Sequence, residues 1–523
     1  MVVIHANIYT GEAGRPRAKS IAVAGGKILA VGDDLAKHAG ASTQTIDAKG
    51  ATIIPGFIDS HGHMRGLGDS LENLDFRASK SSGEVAKMVA QEAAKRKAGE
   101  WILGRSWDQT RWPGSEFPNA DELSRAAPDH PVYLTRVDGH AVWVNRKALE
   151  IADINAATPD PAGGRIIREP GGRPSGVLID RAQGLVSRRI PAATPDQIQA
   201  RLARAAAECA RLGLTSVHDA GIGPVDLAAY RELVSANRLP VHIYAMIRGE
   251  GSLWDQYLRR GPEVGHWLTV RSIKLMADGA LGSRGAAMKE PYTDEPGNRG
   301  LMITSREDIA RVAKAAVKAG LQVNTHAIGD RGNRAVLDAY AEALGGRNDH
   351  RFRVEHAQVV SLTDIPMFQQ YSLIASMQAT HATSDMRWAQ LRVGPRRILG
   401  AYTWHRFLDL GVPVANGSDF PVESANPLWG FYAALTRQDQ DGSPAGGWMP
   451  EQRLSQEEAL RSWTQTGAYA AFEEQSKGTL APGKVADFVL LSQDIMKIAP
   501  AGILKTRVTM TVAGGRVVYS ESK

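Results

Sequence analysis

The sequence predicts an α/β protein, a (β/α)8 TIM barrel with a composite β-sandwich from both termini and an inserted lid subdomain. Three observations predict it. Eight apolar, β-rich runs lie between Phe57 and Asp419, several intervals between them read as helices, and the residues able to carry chemistry close those runs. Strands alternating with helices imply a parallel sheet, and eight such units imply closure. A chain of 523 residues exceeds one ordinary domain, yet a barrel of roughly 250 residues with additions fits it.

Taken in order, residues 1–55 open with alternating β patterns and turns, as in Ser20-Ile21-Ala22-Val23 and Lys27-Ile28-Leu29-Ala30-Val31. Residues 478–523 have the same character, as in Phe488-Val489-Leu490-Leu491 and Arg516-Val517-Val518. Each stretch is too small to hold a core alone, so the two are expected to pair as one sandwich. Between them, residues 56–477 form the barrel, with strands expected at 57–63, 214–219, 241–247, 269–276, 321–327, 351–357, 372–377 and 412–418. Helices are expected at 195–212, 306–319, 330–344 and 396–410. The clearest is 306–319, where Ser305 caps, Asp308 completes the box and Gly320 stops the helix. The interval from about 66 to 194 is far too long for a βα connection and reads as an inserted subdomain over the barrel mouth. Its tryptophans, Trp101, Trp107, Trp112 and Trp143, read as subdomain core.

Composition narrows the function classes. The 62 basic and 56 acidic residues give a formal charge of +6, and no basic cluster interleaved with aromatics suggests a nucleic-acid partner. No apolar run of about 18 residues and no amino-terminal signal pattern occurs, so neither a membrane span nor export is expected. The single cysteine, Cys209, lies in an apparent helix and reads as a core residue, which favours a cytoplasmic protein. A homo-oligomer stays open.

The chemistry concentrates at strand ends. His61 and His63 close the first run in Asp59-Ser60-His61-Gly62-His63, and residues i and i+2 of a strand share a face, so both can bind one cation. Their nitrogens suit a borderline ion such as zinc. Lys274, His326, His356 and Asp419 end four more runs, and carboxyl ends of barrel strands line the active-site mouth. His381, after the seventh run, is placed to contact substrate from the rim. Asp59, Asp219, Asp278 and Asp330 stand beside these motifs and read as supporting or loop-capping groups.

The segment Pro55-Gly56-Phe57-Ile58-Asp59-Ser60-His61-Gly62-His63 resembles the first-strand motif of the amidohydrolase superfamily. Lys274-Leu275-Met276-Ala277-Asp278-Gly279, His326-Ala327-Ile328-Gly329-Asp330-Arg331, Arg353-Val354-Glu355-His356-Ala357-Gln358 and Asn416-Gly417-Ser418-Asp419-Phe420-Pro421 resemble its branch of YtcJ-like hydrolases and N-substituted formamide deformylase. Gly478-Thr479-Leu480-Ala481-Pro482-Gly483 resembles the superfamily's return into its sandwich, so the likeness spans almost the whole chain. The resemblance implies one or two divalent metal ions, and the nitrogen-rich ligand set favours zinc and allows manganese or iron. It assigns His61, His63 and Asp419 to one ion and His326 and His356 to the second. Lys274 would bridge them as a carbamate formed with carbon dioxide. An ammonium would repel a cation, whereas a carbamate supplies two oxygens and a negative charge. His140, in Asp138-Gly139-His140-Ala141, lies in a segment resembling one in the insertion of this branch, where it would polarise a substrate carbonyl.

The function implied is hydrolysis of a non-peptide carbon–nitrogen bond, an amide, in a small molecule. Asp419 would move the proton and His140 or His381 would stabilise the oxyanion. A cyclic amide or ester hydrolase is the nearest alternative. A deaminase is disfavoured because no glutamate stands three residues after either strand histidine. His326 is followed by Ala327, Ile328 and Gly329, and His356 by Ala357, Gln358 and Val359. A non-catalytic metal-binding protein is disfavoured by the complete ligand set.

Overall fold

The computed structural model describes residues 1–347 and 349–521. Eight parallel strands follow one another in chain order, Phe57–Gly62, Leu214–Ile222, His242–Arg248, Leu268–Met276, Gln322–Ala327, Arg353–His356, Ile374–Gln378 and Val414–Gly417. All eight coincide with the apolar runs, because buried parallel strands need side chains that pack on both faces. The eighth strand meets the first where the Asp419 N–H donates to the His61 carbonyl at 2.7 Å and the His63 N–H donates to that of Phe420 at 2.7 Å. Asp59 reinforces this seam by accepting from the Ser418 N–H at 3.1 Å and the Ser418 hydroxyl at 2.6 Å. Gly417 is required there, since a Cβ would lie 2.7 Å from the His61 nitrogen.

The helices Pro195–Arg211, Arg306–Ala319 and Asp330–Leu344 form where propensity and caps place them. Ser305 accepts from the Asp308 N–H, Thr194 and Gln197 form a capping box, and Gly320 ends its helix at φ 70°. Cys209 is buried on the first of these helices, its Sγ 3.9 Å from the Met64 Sδ. The continuous helix expected at 396–410 is not formed. Helix Ala389–Arg397, a 3-10 turn Ile398–Gly400 and helix Trp404–Asp409 replace it. The reason is tertiary: Gly400 accepts from the Val360 N–H at 2.9 Å, and the Tyr402 N–H donates to Gln358 at 2.8 Å. This draws 400–402 out of helical geometry onto the loop after the sixth strand.

Two further layers flank the barrel. Strands Thr52–Pro55 and Phe488–Leu491 pair antiparallel in a six-stranded sheet, beside a four-stranded sheet built from Val2–Ile4, Ser20–Ala24, Lys27–Gly32 and Thr45–Asp47. Ile8, Ile21 and Ile53 share one core with Phe488 and Val512, so both chain ends bury the same apolar surface. Between the first and second barrel strands lies a mixed six-stranded sheet that includes Ile102–Trp107, Val132–Arg136, Ala141–Val144 and Pro174–Asp180. Trp107, Trp112 and Trp143 pack together in its core, the Trp107 ring 6.1 Å from that of Trp112 and 6.2 Å from that of Trp143. Among the described residues no helix is long and apolar enough to cross a membrane.

Candidate metal centre and active site

The carboxyl ends of the strands open into a cavity of about 1000 Å³ shared by barrel and inserted sheet. His61 lies on the first strand, Lys274 on the fourth, His326 on the fifth and His356 at the end of the sixth. His63 stands just past its strand, at the entrance of a short helix, Met64–Ser70, so its approach to His61 is set by that turn and not by a strand face. Asp419 follows the eighth strand with φ 57°, and His356 and Ala357 have φ 72° and 42°. Such left-handed backbone costs a non-glycine residue about 1 kcal/mol or more, so surrounding packing holds these groups in place.

The nitrogens of His61 and His63 and an oxygen of Asp419 all lie within 4.8 Å of one another. His63 Nε2 is 3.1 Å and His61 Nε2 3.6 Å from Asp419 Oδ1, and Lys274 Nζ is 3.1 Å from His61 Nε2. A second trio comprises His356, His381 and Asp419. His326 packs against His356 with ring centroids 4.6 Å apart, but its Nε2 points to the Gly279 carbonyl at 3.4 Å. The structure thus brings His61, His63, Lys274, His326, His356, His381 and Asp419 to one cavity, and sets His381 in a trio with His356 and Asp419, where the resemblance pairs His356 with His326.

Electrostatics suit a cation. Burial and neighbouring positive groups, Lys274 among them, hold His61, His326 and His356 well below the ordinary histidine pKa. They are therefore neutral imidazoles with a free lone pair, the form that binds metal. Burial would raise Asp419, but His63, His381 and Lys274 outweigh it and keep the carboxyl below its usual range. Asp419 Oδ1 and His381 Nε2 are buried without a hydrogen-bond partner among the described residues, as expected of donors aimed at an ion. This donor set fits a divalent metal.

The ring orientations come from residues that local sequence reading left unassigned. Glu355 accepts from His61 Nδ1 at 2.5 Å, and Gln378 Oε1 lies 2.7 Å from His356 Nδ1. Each leaves the remote nitrogen for the cavity. Arg353, two residues before Glu355 on the same strand face, donates to the Ser60 carbonyl at 3.2 Å and to His218 Nδ1 at 2.9 Å. Glu355 and Arg353 stand inside the sixth-strand motif Arg353-Val354-Glu355-His356, where a charged pair at i and i+2 in a buried strand is the signal that marks them. The neighbouring aspartates are anchors. Asp219 accepts from the Met64 N–H at 3.1 Å, Asp278 from those of Ala287, Ile328 and Gly329, and Asp330 from that of Lys289 at 2.8 Å.

His140 reaches the cavity from the inserted sheet, its ring centroid 5.2 Å from that of His326. Asp180 Oδ1 lies 2.6 Å from its Nδ1. Burial acts to lower the His140 pKa, but the hydrogen bond and charge of Asp180, with Asp138 and Asp278, raise it to about 9. His140 is consequently an imidazolium at neutral pH. Asp180, another residue the sequence reading did not single out, sits against Gly279 and Gly285, where a Cβ would lie 2.6 and 2.5 Å from its Oδ2.

A closed parallel barrel whose strand ends gather histidines, a lysine and an aspartate around one cavity defines the class of barrel hydrolases with a histidine–carboxylate centre. The chain belongs to the Amidohydrolase family, which matches residues 44–519. It is 34% identical to Protein LONG AFTER FAR-RED 3 of Arabidopsis thaliana, over 99% of this chain and 91% of that one. To the Putative amidohydrolase YtcJ of Bacillus subtilis (strain 168) it is 31% identical, over 93% and 92% of the two chains. To N-substituted formamide deformylase of Arthrobacter pascens it is 25% identical, over 100% and 98%. Among solved structures, an uncharacterized metal-dependent hydrolase from Pyrococcus horikoshii OT3 aligns with a TM-score of 0.78 and 27% identity, over 95% of this chain and 98% of that one. The protein is a hydrolase of this family, in the branch of YtcJ and the formamide deformylase.

Proposed function

We propose that the protein cleaves an amide carbon–nitrogen bond of a small molecule at a divalent metal centre held by His61, His63, His326, His356 and Asp419, with Lys274 as a carbamate. Zinc is favoured by the nitrogen-rich donor set. The observation that carries the reading is His140, held by Asp180 and packed on His326, reaching from the inserted sheet to a cavity in which His61, His63 and Asp419 converge. The likeness to N-substituted formamide deformylase supports an amide as the bond cleaved.

A bound divalent ion supplies Lewis acidity, making water nucleophilic near neutral pH and polarising the substrate carbonyl. Asp419 accepts the proton of the attacking water through its unpartnered oxygen and returns it to the departing amine nitrogen. His140 donates a hydrogen bond to the oxygen that becomes negative as the tetrahedral centre forms. Glu355 and Gln378 keep the histidines in one tautomer throughout. No glutamate follows His326 or His356 at the spacing a deaminase needs, and Glu355, beside His356, is wholly buried and committed to His61. We infer a small amide as the partner, with neither nucleic acid nor membrane, and a cytosolic setting for the buried, unpaired Cys209.

A hydrolysis screen of the metal-loaded protein against N-formyl, N-acyl and cyclic amides, nucleobases and simple esters tests this reading. Release of amine and acid from an amide is expected. Ammonia from a nucleobase, or turnover of esters alone, overturns it.

The His140–Asp180 pair makes a pH prediction. The raised pKa means that the charged form persists at neutral pH and is lost as pH rises through about 9. The rate should therefore fall on the alkaline side near that value. In Asp180→Asn the carboxylate's support is removed, so the alkaline limb should move down by about one unit or more. A pH–rate profile of the two proteins decides this, and an unmoved limb removes His140 from the oxyanion role.

A further inference from the structure

Several arginines line the cavity, and most are committed elsewhere: Arg111, Arg181 and Arg248 donate to the carbonyls of Arg77, Ile303 and Gly221. Arg136 is bound by Asp108 at 2.8 Å and Asp138 at 2.6 Å, Arg387 by Asp439 at 2.9 Å, and Arg65 pairs with Asp226 at 3.4 Å. Arg105 has no ion-pair partner among the described residues. Among the described residues its guanidinium makes one long hydrogen bond, from Nε to the hydroxyl of the adjacent Ser106 at 3.4 Å. The side chain is half-buried in the cavity wall, within electrostatic reach of Asp419 and Arg77.

The backbone places it there at a cost. Arg105 lies opposite Thr135 in register, and the ladder then slips, with Trp107 opposite Arg136, so Ser106 is bulged out. Ser106 has φ 69°, in the left-handed region that a non-glycine residue seldom enters. Bulges of this kind re-aim a neighbouring side chain, and they gather beside functional sites. The residue so aimed is the unpaired guanidinium.

Its surroundings lack a negative charge of matching geometry. Burial and the neighbouring Arg77 pull the Arg105 pKa down to about 10, more than Asp75, Asp419 and Asp69 restore. Arg77 is itself tied to the carbonyls of Pro421 at 2.8 Å and Val422 at 3.2 Å, in the loop immediately after Asp419. Arg77 therefore adjoins the loop that follows the proposed proton-transfer carboxylate, and Arg105 lies within electrostatic reach of both. A guanidinium presents paired N–H groups that match the two oxygens of a carboxylate. An anion seated there would supply the missing counter-charge.

We propose that Arg105, presented by the inserted sheet, is a substrate-specificity residue that receives a carboxylate of the substrate. The cognate substrate is then an amide bearing a carboxylate a few bonds from the scissile carbon–nitrogen bond, as in an N-acylated amino acid. The inference rests on the amide reading for the other end of that molecule. It adds a charge requirement that the reading does not contain.

The test compares N-formylphenylalanine with its neutral carboxamide, N-formylphenylalaninamide, in the metal-loaded wild type, Arg105→Gln and Arg105→Lys. The wild type should favour the anionic compound by about tenfold or more in kcat/KM, the size of one charge-assisted hydrogen bond. Arg105→Gln should bring the ratio near one, chiefly through KM of the anion, while turnover of the neutral compound is maintained. Arg105→Lys should keep part of the preference, which a merely structural role would not produce. Calorimetric binding of both compounds to the same proteins is measured alongside. Preferential binding of the anion that depends on Arg105, without hydrolysis, keeps the proposal and refutes the amide reading. An equal preference in wild type and Arg105→Gln, or none in the wild type by either measurement, overturns the proposal.

Discussion

Asp419→Asn should lower kcat by about 100- to 10,000-fold, the range that general acid–base catalysis contributes, while most of the metal stays bound. The side chain keeps its volume and one coordinating oxygen but no longer takes up a proton. Asp419 is the proposed shuttle because its oxygens face His61, His63 and His381 at 3.6, 3.1 and 3.5 Å, and one of them has no hydrogen bond among the described residues. Its pKa, held below the ordinary carboxylate range, keeps it ionised at neutral pH. Lowered pKa also fixes the sign of the acid limb: activity falls as pH drops through the Asp419 value and is fully present above it. Elemental analysis beside single-turnover rates separates metal loss from chemistry. Near-normal turnover of a metal-loaded Asn variant across neutral pH would assign the proton to another group, with His140 the first to examine.

The second large effect is expected at Lys274. Two divalent ions a few ångströms apart repel strongly, and the donor set offers one native anion, Asp419. Lys274 Nζ lies 3.1 Å from His61 Nε2, and its burial lowers the ammonium pKa against the opposing pull of Glu355 and Asp419. A neutral amine can attack carbon dioxide, forming the nitrogen–carbon bond and releasing a proton, which turns a repelling cation into an anionic group with two oxygens. Lys274→Ala should hold fewer metal equivalents than the wild type and lose at least about 100-fold in activity, since even outer-shell substitutions at metal sites reach that size. A short carboxylic acid with added metal should restore part of the rate by replacing the missing oxygens. Density showing an unmodified Lys274 in a fully loaded, active enzyme would refute the carbamate and favour a single ion on His61, His63 and Asp419.

The closing of the cavity by two separate modules explains why these effects are separable. Asp419 and Lys274 belong to the barrel, whereas His140 and Arg105 come from the inserted sheet. Loss of a barrel residue should therefore abolish chemistry for every substrate. Loss of Arg105 should change only which substrate is preferred.

By itself the sequence determined what is local. The period and composition of the eight strands, the Ser305 cap and Gly320 stop, and the strand-end positions of His61, Lys274, His326 and His356 all follow from neighbours within a few residues. Tertiary structure alone decided the rest. Residues 400–402 leave their helix because Val360 and Gln358 compete for their backbone groups. Glu355 finds His61, and Asp180 finds His140, across stretches of chain too long for any spacing to record. His326 turns toward Gly279 while His381 moves beside Asp419. Side-chain direction inside a closed barrel is set by which buried polar groups must satisfy one another, and that requirement exists only once the strands have come together.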